Sequence, residues 1–257
     1  MGLADLHIHT IHSYDGTATV PAVLKHVADH TNLNVIAITD HDTLAGLPEA
    51  LALAPRYNLE VIPGCEITTS EGHLLALFID RPIQAGLSFL KTIQQIKAQG
   101  GICIAAHPTA RGTSSVSFEI IHKTLWHPDA QGVLVGVEAF NAGLVYTRSN
   151  ASVIKRSQTL PIAQVGNSDA HILKMIGHGA SEFQGRSAAD LRRALEQAET
   201  TPRCGSHLSG LEVLLDYIPR FLLRKLGWAD WNAAPDAPLS LIRLSRAMTP
   251  QENYRAG

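Results

Sequence analysis

Residues 2–9, GLADLHIH, decide how the rest of the chain is read. An apolar run of strand length ends on two histidines one residue apart. In a strand, positions i and i+2 point to the same side, so His7 and His9 can face one ligand. The next apolar run, residues 35–39 (VIAIT), also ends on chemistry, with Asp40, His41 and Asp42 following at once. Residues 60–65 (EVIPGC) lead to Glu66, residues 101–106 (GICIAA) to His107 and Pro108, and residues 161–165 (PIAQV) to Asp169 and His171 shortly after. Residues 74–79 and 133–140 complete the buried strand candidates.

Between these runs lie stretches of helical period: residues 20–30, 43–57, 87–99, 118–124, 147–159 and 188–199. Thr43 and Ser187 are expected N-caps, and Asp190 three residues after Ser187 comes close to a capping box. The alternation predicts parallel βαβ units. Only ITTSEG joins Glu66 to His73, too little for a helical crossover, so a hairpin is expected and the sheet is irregular there. In a parallel α/β fold the C-terminal strand ends share one face, where active sites assemble. Five separate stretches are therefore expected to converge.

The chain has 257 residues, 45% hydrophobic and 17% charged, enough for a sizeable core in one large domain. A net charge of −2 provides no basic excess for non-specific nucleic-acid binding. Cys65, Cys103 and Cys204 are widely spaced, so neither a disulfide framework nor a CxxC site follows, and a reducing compartment is expected. No apolar run reaches the ~18 residues of a membrane span. Residues 1–10 carry neither a basic region nor an apolar signal core, so a cytoplasmic location is expected. Composition shifts near Cys204, dividing a main domain, residues 1–204, from an extension, residues 205–257. In the extension Leu211, Leu214, Leu215, Ile218 and Leu222 fall at helical spacing, with Pro219 expected to end or kink that helix. Packing on the main domain, a homodimer surface and a membrane-surface helix are the three readings of this stretch.

Thirteen histidines are a large number for a chain with six phenylalanines, and histidine is the commonest metal ligand. Imidazole nitrogens with carboxylate oxygens and no thiolate suit Zn, Mn or Fe and fit Ca poorly. Glu66 offers two oxygens and can bridge two ions. A single HxH is a weak signal; its joint occurrence with DHD, a strand-end Glu, HP and DxH is a specific one. His26 and His30 are spaced i, i+4 but lack the HExxH glutamate, so a surface pair is expected. His12, His122, His127, His178 and His207 are read as structural. No GxSxG elbow and no P-loop occurs, which leaves a metal-bound hydroxide as the nucleophile.

DLHIHTIHSYDG, AITDHDTLAG, IPGCEI, HLLALFID, AAHP and NSDAH together resemble the polymerase and histidinol phosphatase (PHP) family, from the N-terminus to about residue 200. The resemblance implies a distorted (β/α)7 barrel, a site of two or three divalent metals (Mn, Zn or Fe) and hydrolysis of phosphate esters. It implies the ligands His7, His9, Asp15, His41, Glu66, His73, His107, Asp169 and His171. By analogy one metal takes His7, His9, Glu66 and Asp169, a second Glu66, His73 and His107, and a third Asp15, His41 and His171. Asp5 and Asp40 resemble groups that orient the histidines. The short stretch between His107 and Asp169 leaves no room for the inserted domain of nucleotide-hydrolysing relatives, so a more open pocket, or one covered by the loop after His107, is expected.

Three divalent ions outweigh the three carboxylates and leave a positive pocket floor for a phosphate. Arg111, four residues after His107, can reach the same mouth; Arg148 and Arg186 are weaker candidates. Asp40 or His41 could protonate the leaving group. The expected activity is metal-dependent hydrolysis of a small phosphorylated molecule or the end of a short oligonucleotide. Histidinol-phosphate phosphatase is the alternative enzyme, and a non-catalytic, metal-stabilised binding module is the alternative class. No basic stripe with interleaved aromatics supports a processive exonuclease.

Overall fold

A computed structural model describes residues 1–109 and 114–226. Strands β1 (Gly2–Ile8), β2 (Val35–Ile38) and β3 (Glu60–Thr69) run parallel, with helices α1 (Val20–His30) and α2 (Leu47–Leu53) in the crossovers. The chain then reverses into β4 (Gly72–Leu77), pairing Thr68 with His73, which is the hairpin expected from the short connection. β5 (Ile102–Ala105) is antiparallel to β4, and β6 (Leu134–Asn141) and β7 (Ala163–Asn167) continue parallel to β5. Helices α3 (Phe89–Ala98), α4 (Phe118–Leu125) and α5 (Asn150–Ser157) precede β5, β6 and β7 in turn. β8 (Gly179–Phe183), α6 (Ala188–Glu196), β9 (Thr201–Cys204) and α7 (Gly210–Lys225) follow.

The nine strands form one sheet in the order β7-β6-β5-β4-β3-β2-β1-β8-β9. Its two ends come together. Buried Ser181 on β8 donates its hydroxyl to the Gly166 carbonyl of β7 at 2.9 Å and accepts from the Gly166 N–H at 3.1 Å. Thr200 donates to the Gln164 carbonyl at 2.8 Å. Gly166 permits the approach, since a Cβ there would lie 2.6 Å from the Ala180 carbonyl oxygen. The result is a nearly closed, distorted α/β barrel, the fold class the sequence implies.

Alternation along the strands sorts side chains into layers. Ala4, Leu6, Val35, Ala37, Ile62, Leu75, Leu77, Ile102 and Ile104 form one buried cluster, completed by Leu191, Ala194 and Leu195 of α6. Ile36, Ile38 and Val61 face the other way, against Val23, Leu24 and Val27 of α1. Leu74, Ala76, Cys103 and Ala105 do the same beneath Ile93 and Ile96 of α3.

Local structure corrects the expectations in three places. Thr43 does not cap α2: the helix begins at Leu47 behind Gly46, without a side-chain cap. The residues in between are spent on the His41 turn, where Asp42 N–H donates to the Glu66 carbonyl at 2.9 Å. β8 and β9 form where no strand is expected, because GASEF and TPRC lack a run of β-branched residues. α7 continues through Pro219, whose missing N–H leaves the Leu215 carbonyl on an exposed helix where water can serve it. Ser187 behaves as predicted, with a complete capping box to Asp190.

Candidate metal centre

The cluster stands on the strand ends of the barrel. β1 delivers His7 and, one residue past its end, His9. The end of β2 delivers His41, which bridges in parallel to Glu66 within β3. β4 begins with Gly72 and His73. His107 follows β5 and Asp169 follows β7, both with backbones in the left-handed region (φ 25° and 51°), a conformation that costs non-glycine residues of order 1 kcal/mol. Those two turns aim the side chains inward.

Glu66, 1% exposed, is the hub. Its Oε2 lies 3.1 Å from His7 Nε2, 3.3 Å from His9 Nε2 and 3.3 Å from His41 Nδ1. Its Oε1 lies 2.8 Å from His73 Nδ1 and 3.0 Å from His107 Nε2. Asp169 Oδ1 lies 3.3 Å from both His7 Nε2 and His9 Nε2. On the outer side Asp15 Oδ2 lies 3.1 Å from His171 Nε2 and 3.6 Å from His41 Nε2. All nine residues that the resemblance implies as ligands thus come together in one cluster.

Several of these close approaches lack hydrogen-bond geometry. Among the described residues, His7 Nε2, His9 Nε2, His41 Nδ1, His73 Nδ1 and Asp15 Oδ1 are buried without a hydrogen-bond partner. Leaving a buried polar atom unsatisfied costs about 1–3 kcal/mol, and five in one place is a heavy concentration. Separations of 2.8–3.3 Å between donor atoms that do not bond each other match the ~3.3 Å ligand–ligand edge of a tetrahedron with ~2.0 Å bonds. Among the described residues four compact groups bring their ligand atoms within 4.8 Å of one another: His7, His9 and Glu66; His41, Glu66 and His73; His9, Asp15, His41 and His171; and His7, His107 and Glu138. Divalent cations fit this donor set.

The imidazoles are held from behind. His7 Nδ1 lies 3.0 Å from Glu138 Oε1, and His9 Nδ1 3.0 Å from Ser13 Oγ. His107 Nδ1 lies 3.2 Å from Ser115 Oγ, and His171 Nδ1 2.9 Å from the Asp169 carbonyl. With a proton on each of those Nδ1 atoms, every Nε2 presents its lone pair to the cluster centre. Asp5 and Asp40 do not orient rings. Asp5 accepts from the backbone of Ser168 and Gly177, and Asp40 accepts from Thr10 N at 2.6 Å and Thr10 Oγ1 at 2.7 Å. They tie the loops that carry the histidines.

The residue that sequence reasoning missed is Glu138. It is fully buried in β6 and takes four hydrogen bonds, from His7 Nδ1, His107 N, Asn141 Nδ2 and Asn167 Nδ2. A signal for it was present: one carboxylate inside the apolar run VLVGVEAF is costly to bury unless function or pairing demands it.

The cluster's charges act strongly on one another. Burial works against a charged imidazole, yet Asp169, Glu66 and Glu138 overcome it and hold His7 well above its ordinary range. His9 is pushed up to about 10, its burial overcome by Asp169 and Glu66. Glu66 and Asp169 are held well below the usual carboxylate range, their burial outweighed by the surrounding histidines. The carboxylates draw positive charge into the pocket, whether it arrives as protons or as metal ions.

The cavity over the cluster is about 500 Å³ and is also lined by Tyr14, Ser114 and Tyr146. Tyr14 stacks on His41 at 4.8 Å and Tyr146 on His107 at 4.9 Å. Arg111 lies outside the described residues, and Arg148 and Arg186 are exposed and do not line this cavity. His26 and His30 form a ring pair at 4.8 Å on α1, remote from the cluster's donor groups.

A distorted α/β barrel with this histidine–carboxylate cluster at its strand ends defines the class of metal-dependent phosphoesterases. The chain belongs to the PHP domain family, which matches residues 5–197. It is 37% identical over 165 residues to an uncharacterised protein of Methanocaldococcus jannaschii, covering 59% of this chain and 91% of that protein. It is 30% identical over 193 residues to a 5′-3′ exoribonuclease of Haemophilus influenzae, covering 75% of this chain but only 63% of the exoribonuclease. Among solved structures, a two-domain protein from Bacteroides vulgatus containing a predicted PHP-like metal-dependent phosphoesterase aligns with a TM-score of 0.62. Sequence identity there is 20%, over 79% of this chain and 64% of that one, and the likeness concerns the fold.

Proposed function

We propose that this chain hydrolyses a phosphate ester on a nucleotide, the end of a short oligonucleotide or a comparable small phosphorylated molecule, using two or three divalent ions. The observation that carries the reading is the cluster of nine histidine and carboxylate side chains centred on Glu66, with buried, unsatisfied atoms aimed inward. When bound, such ions supply Lewis acidity and ionise a water near neutral pH. His7, His9, Glu66 and Asp169 form one ligand set, Glu66, His73 and His107 a second, and Asp15, His41 and His171 a third. Glu138 and Ser13 hold the His7 and His9 rings in the tautomer this requires. Both Asp40 oxygens are engaged by Thr10, so we assign Asp40 to anchoring the loop and leave the leaving-group proton to solvent. Arg111 follows the Thr109 turn and is our candidate for contacting the phosphate. The exposed face of Tyr14 offers a surface for a base or other flat group.

Support for a nucleotide-type ester comes from the likeness to the exoribonuclease. Three cysteines free of disulfides support a cytoplasmic location. Among the described residues no helix is long and apolar enough to cross a membrane. α7 exposes Leu211, Leu214, Leu215 and Leu222, and we propose that a second copy covers this face. Light scattering tests that: Leu214→Glu with Leu215→Glu should convert a dimer to a monomer, and a monomeric wild type overturns it.

The deciding experiment is elemental analysis of protein purified without chelator, beside hydrolysis of nucleoside monophosphates, histidinol phosphate and a matched diester in Mn²⁺. Two to three metals per chain with nucleotide monoester turnover is the expected result. Diester turnover alone would reassign the chain to a nuclease, and preference for histidinol phosphate would make that the substrate. No metal and no turnover after reconstitution would overturn the enzyme reading in favour of a binding module.

A further inference from the structure

Helix α7 lies outside the barrel strands, yet it is fastened along the rim of the metal centre. Before it starts, His207 Nδ1 lies 3.0 Å from the Ala142 carbonyl just beyond β6. A capping box between Ser209 and Glu212 then fixes its first turn. Midway, the Tyr217 ring meets the His171 ring edge-on, with centroids 6.2 Å apart and planes at 90°. Asp216 joins Arg220 at 2.6 Å and Lys174 at 3.1 Å, which holds this turn to the segment after His171.

The last turn of α7 reaches the segment between β1 and α1. The Arg224 guanidinium donates to the Ile11 carbonyl at 2.6 Å, to the Ser13 carbonyl at 2.5 Å and to the Gly16 carbonyl. Among the described residues no other hydrogen bond reaches these three oxygens. The segment they belong to carries two groups of the centre. Ser13 Oγ accepts from His41 N–H at 2.8 Å and faces His9 Nδ1 at 3.0 Å. Asp15 Oδ2 faces His171 Nε2 and His41 Nε2. One planar, always-charged fork therefore gathers three carbonyls of the loop on which Ser13 and Asp15 stand.

We propose that Arg224 is a positioning residue, acting through the Ile11, Ser13 and Gly16 carbonyls to hold Asp15 and Ser13 against His9, His41 and His171, so that α7 is a working part of the metal centre. This rests on the metal reading of the cluster. The guanidinium touches neither the ligand atoms nor the cavity, so it sets the placement of Asp15 without entering the chemistry.

The test is titration of the metal-stripped full chain with Mn²⁺, followed by calorimetry and by EPR of free Mn²⁺, for wild type, Arg224→Ala, Arg224→Lys and Lys225→Ala. The expected result is that Arg224→Ala weakens the weakest Mn²⁺ site by about tenfold or more, in the range seen when outer partners of metal ligands are removed. The tighter sites should hold. Arg224→Lys should recover part of that loss, because an ammonium replaces the charge but not the three-way fork. Lys225→Ala, exposed on the same helix and next to Arg224, should bind as wild type does. Wild-type Mn²⁺ affinities in Arg224→Ala, or an equal loss in Lys225→Ala, would overturn the role of Arg224 while leaving the metal reading intact. If Arg224→Ala does not fold, Arg224→Lys alone decides: a weakest site indistinguishable from wild type overturns the proposal. A wild type that binds no Mn²⁺ overturns the metal reading itself, and the proposal with it.

Discussion

At the scale of single residues, the centre depends on groups that never face the cavity. Glu138 is the sharpest case. Its carboxylate has four donors and no orphaned lone pair to spare for solvent. Glu138→Gln keeps the shape but turns one acceptor into a donor, which must then oppose His7 Nδ1–H, the His107 N–H or an asparagine amide. Mn²⁺ affinity should fall about 10–100-fold, with some turnover remaining, and a Mn²⁺ titration reads it directly. Unchanged affinity would show that the His7 tautomer is set elsewhere. Glu66→Gln removes the charge at the hub and should release metal and abolish turnover together. Seven of the nine candidate ligands were legible from strand-end spacing and from the family resemblance alike, while Asp15 and His73 were marked by the resemblance alone. Glu138 was marked only as a carboxylate inside an apolar run, because the partners that explain it include His7 on β1, His107 after β5 and Asn167 on β7.

Elements were legible where their signals are local. α1, predicted over residues 20–30, forms over Val20–His30 with Thr19 as its cap. α6 follows from its capping box. Ser187→Ala should cost about 1 kcal/mol. For a protein of this size that lowers Tm by about 2–4 °C, measured by calorimetry, without affecting turnover. A fall beyond that would mean α6 contributes to the inner cluster more than its cap suggests. The start of α2 escaped the sequence reading for a tertiary reason. Asp42 takes a left-handed backbone and bonds across to β3, so four residues with helical pattern serve to place His41. β8 and β9 escaped it because their pairing with β1 and with each other stabilises sequences of weak strand propensity.

For the molecule as a whole, closure of the sheet and loading of the centre are the two cooperative features. Ser181→Ala deprives both backbone groups of Gly166 of a buried partner and should cost about 1–3 kcal/mol, read as a lower urea midpoint at unchanged m-value. An effect within error would show that β7 and β8 are held by packing alone. Ligands that bind only the folded state stabilise it by mass action, so dialysis against EDTA should lower Tm and Mn²⁺ should restore it. A Tm indifferent to EDTA would contradict a centre of several ions.

The sequence by itself determined the alternation of strands and helices, the hairpin at residues 66–73 and the candidate ligands. Each of these rests on periodicity, on a connection length or on a short motif, and such signals are written within a few residues of one another. Tertiary structure decided which distant groups share a carboxylate, how the sheet ends meet at Gly166 and Ser181, and where α7 lands. Those outcomes depend on desolvation and hydrogen-bond satisfaction between segments that only folding brings together, some of them more than a hundred residues apart, as with His7 and Glu138 or Ser13 and Arg224. Burial makes every unpaired polar atom costly, and only the folded chain shows which partner each one has found.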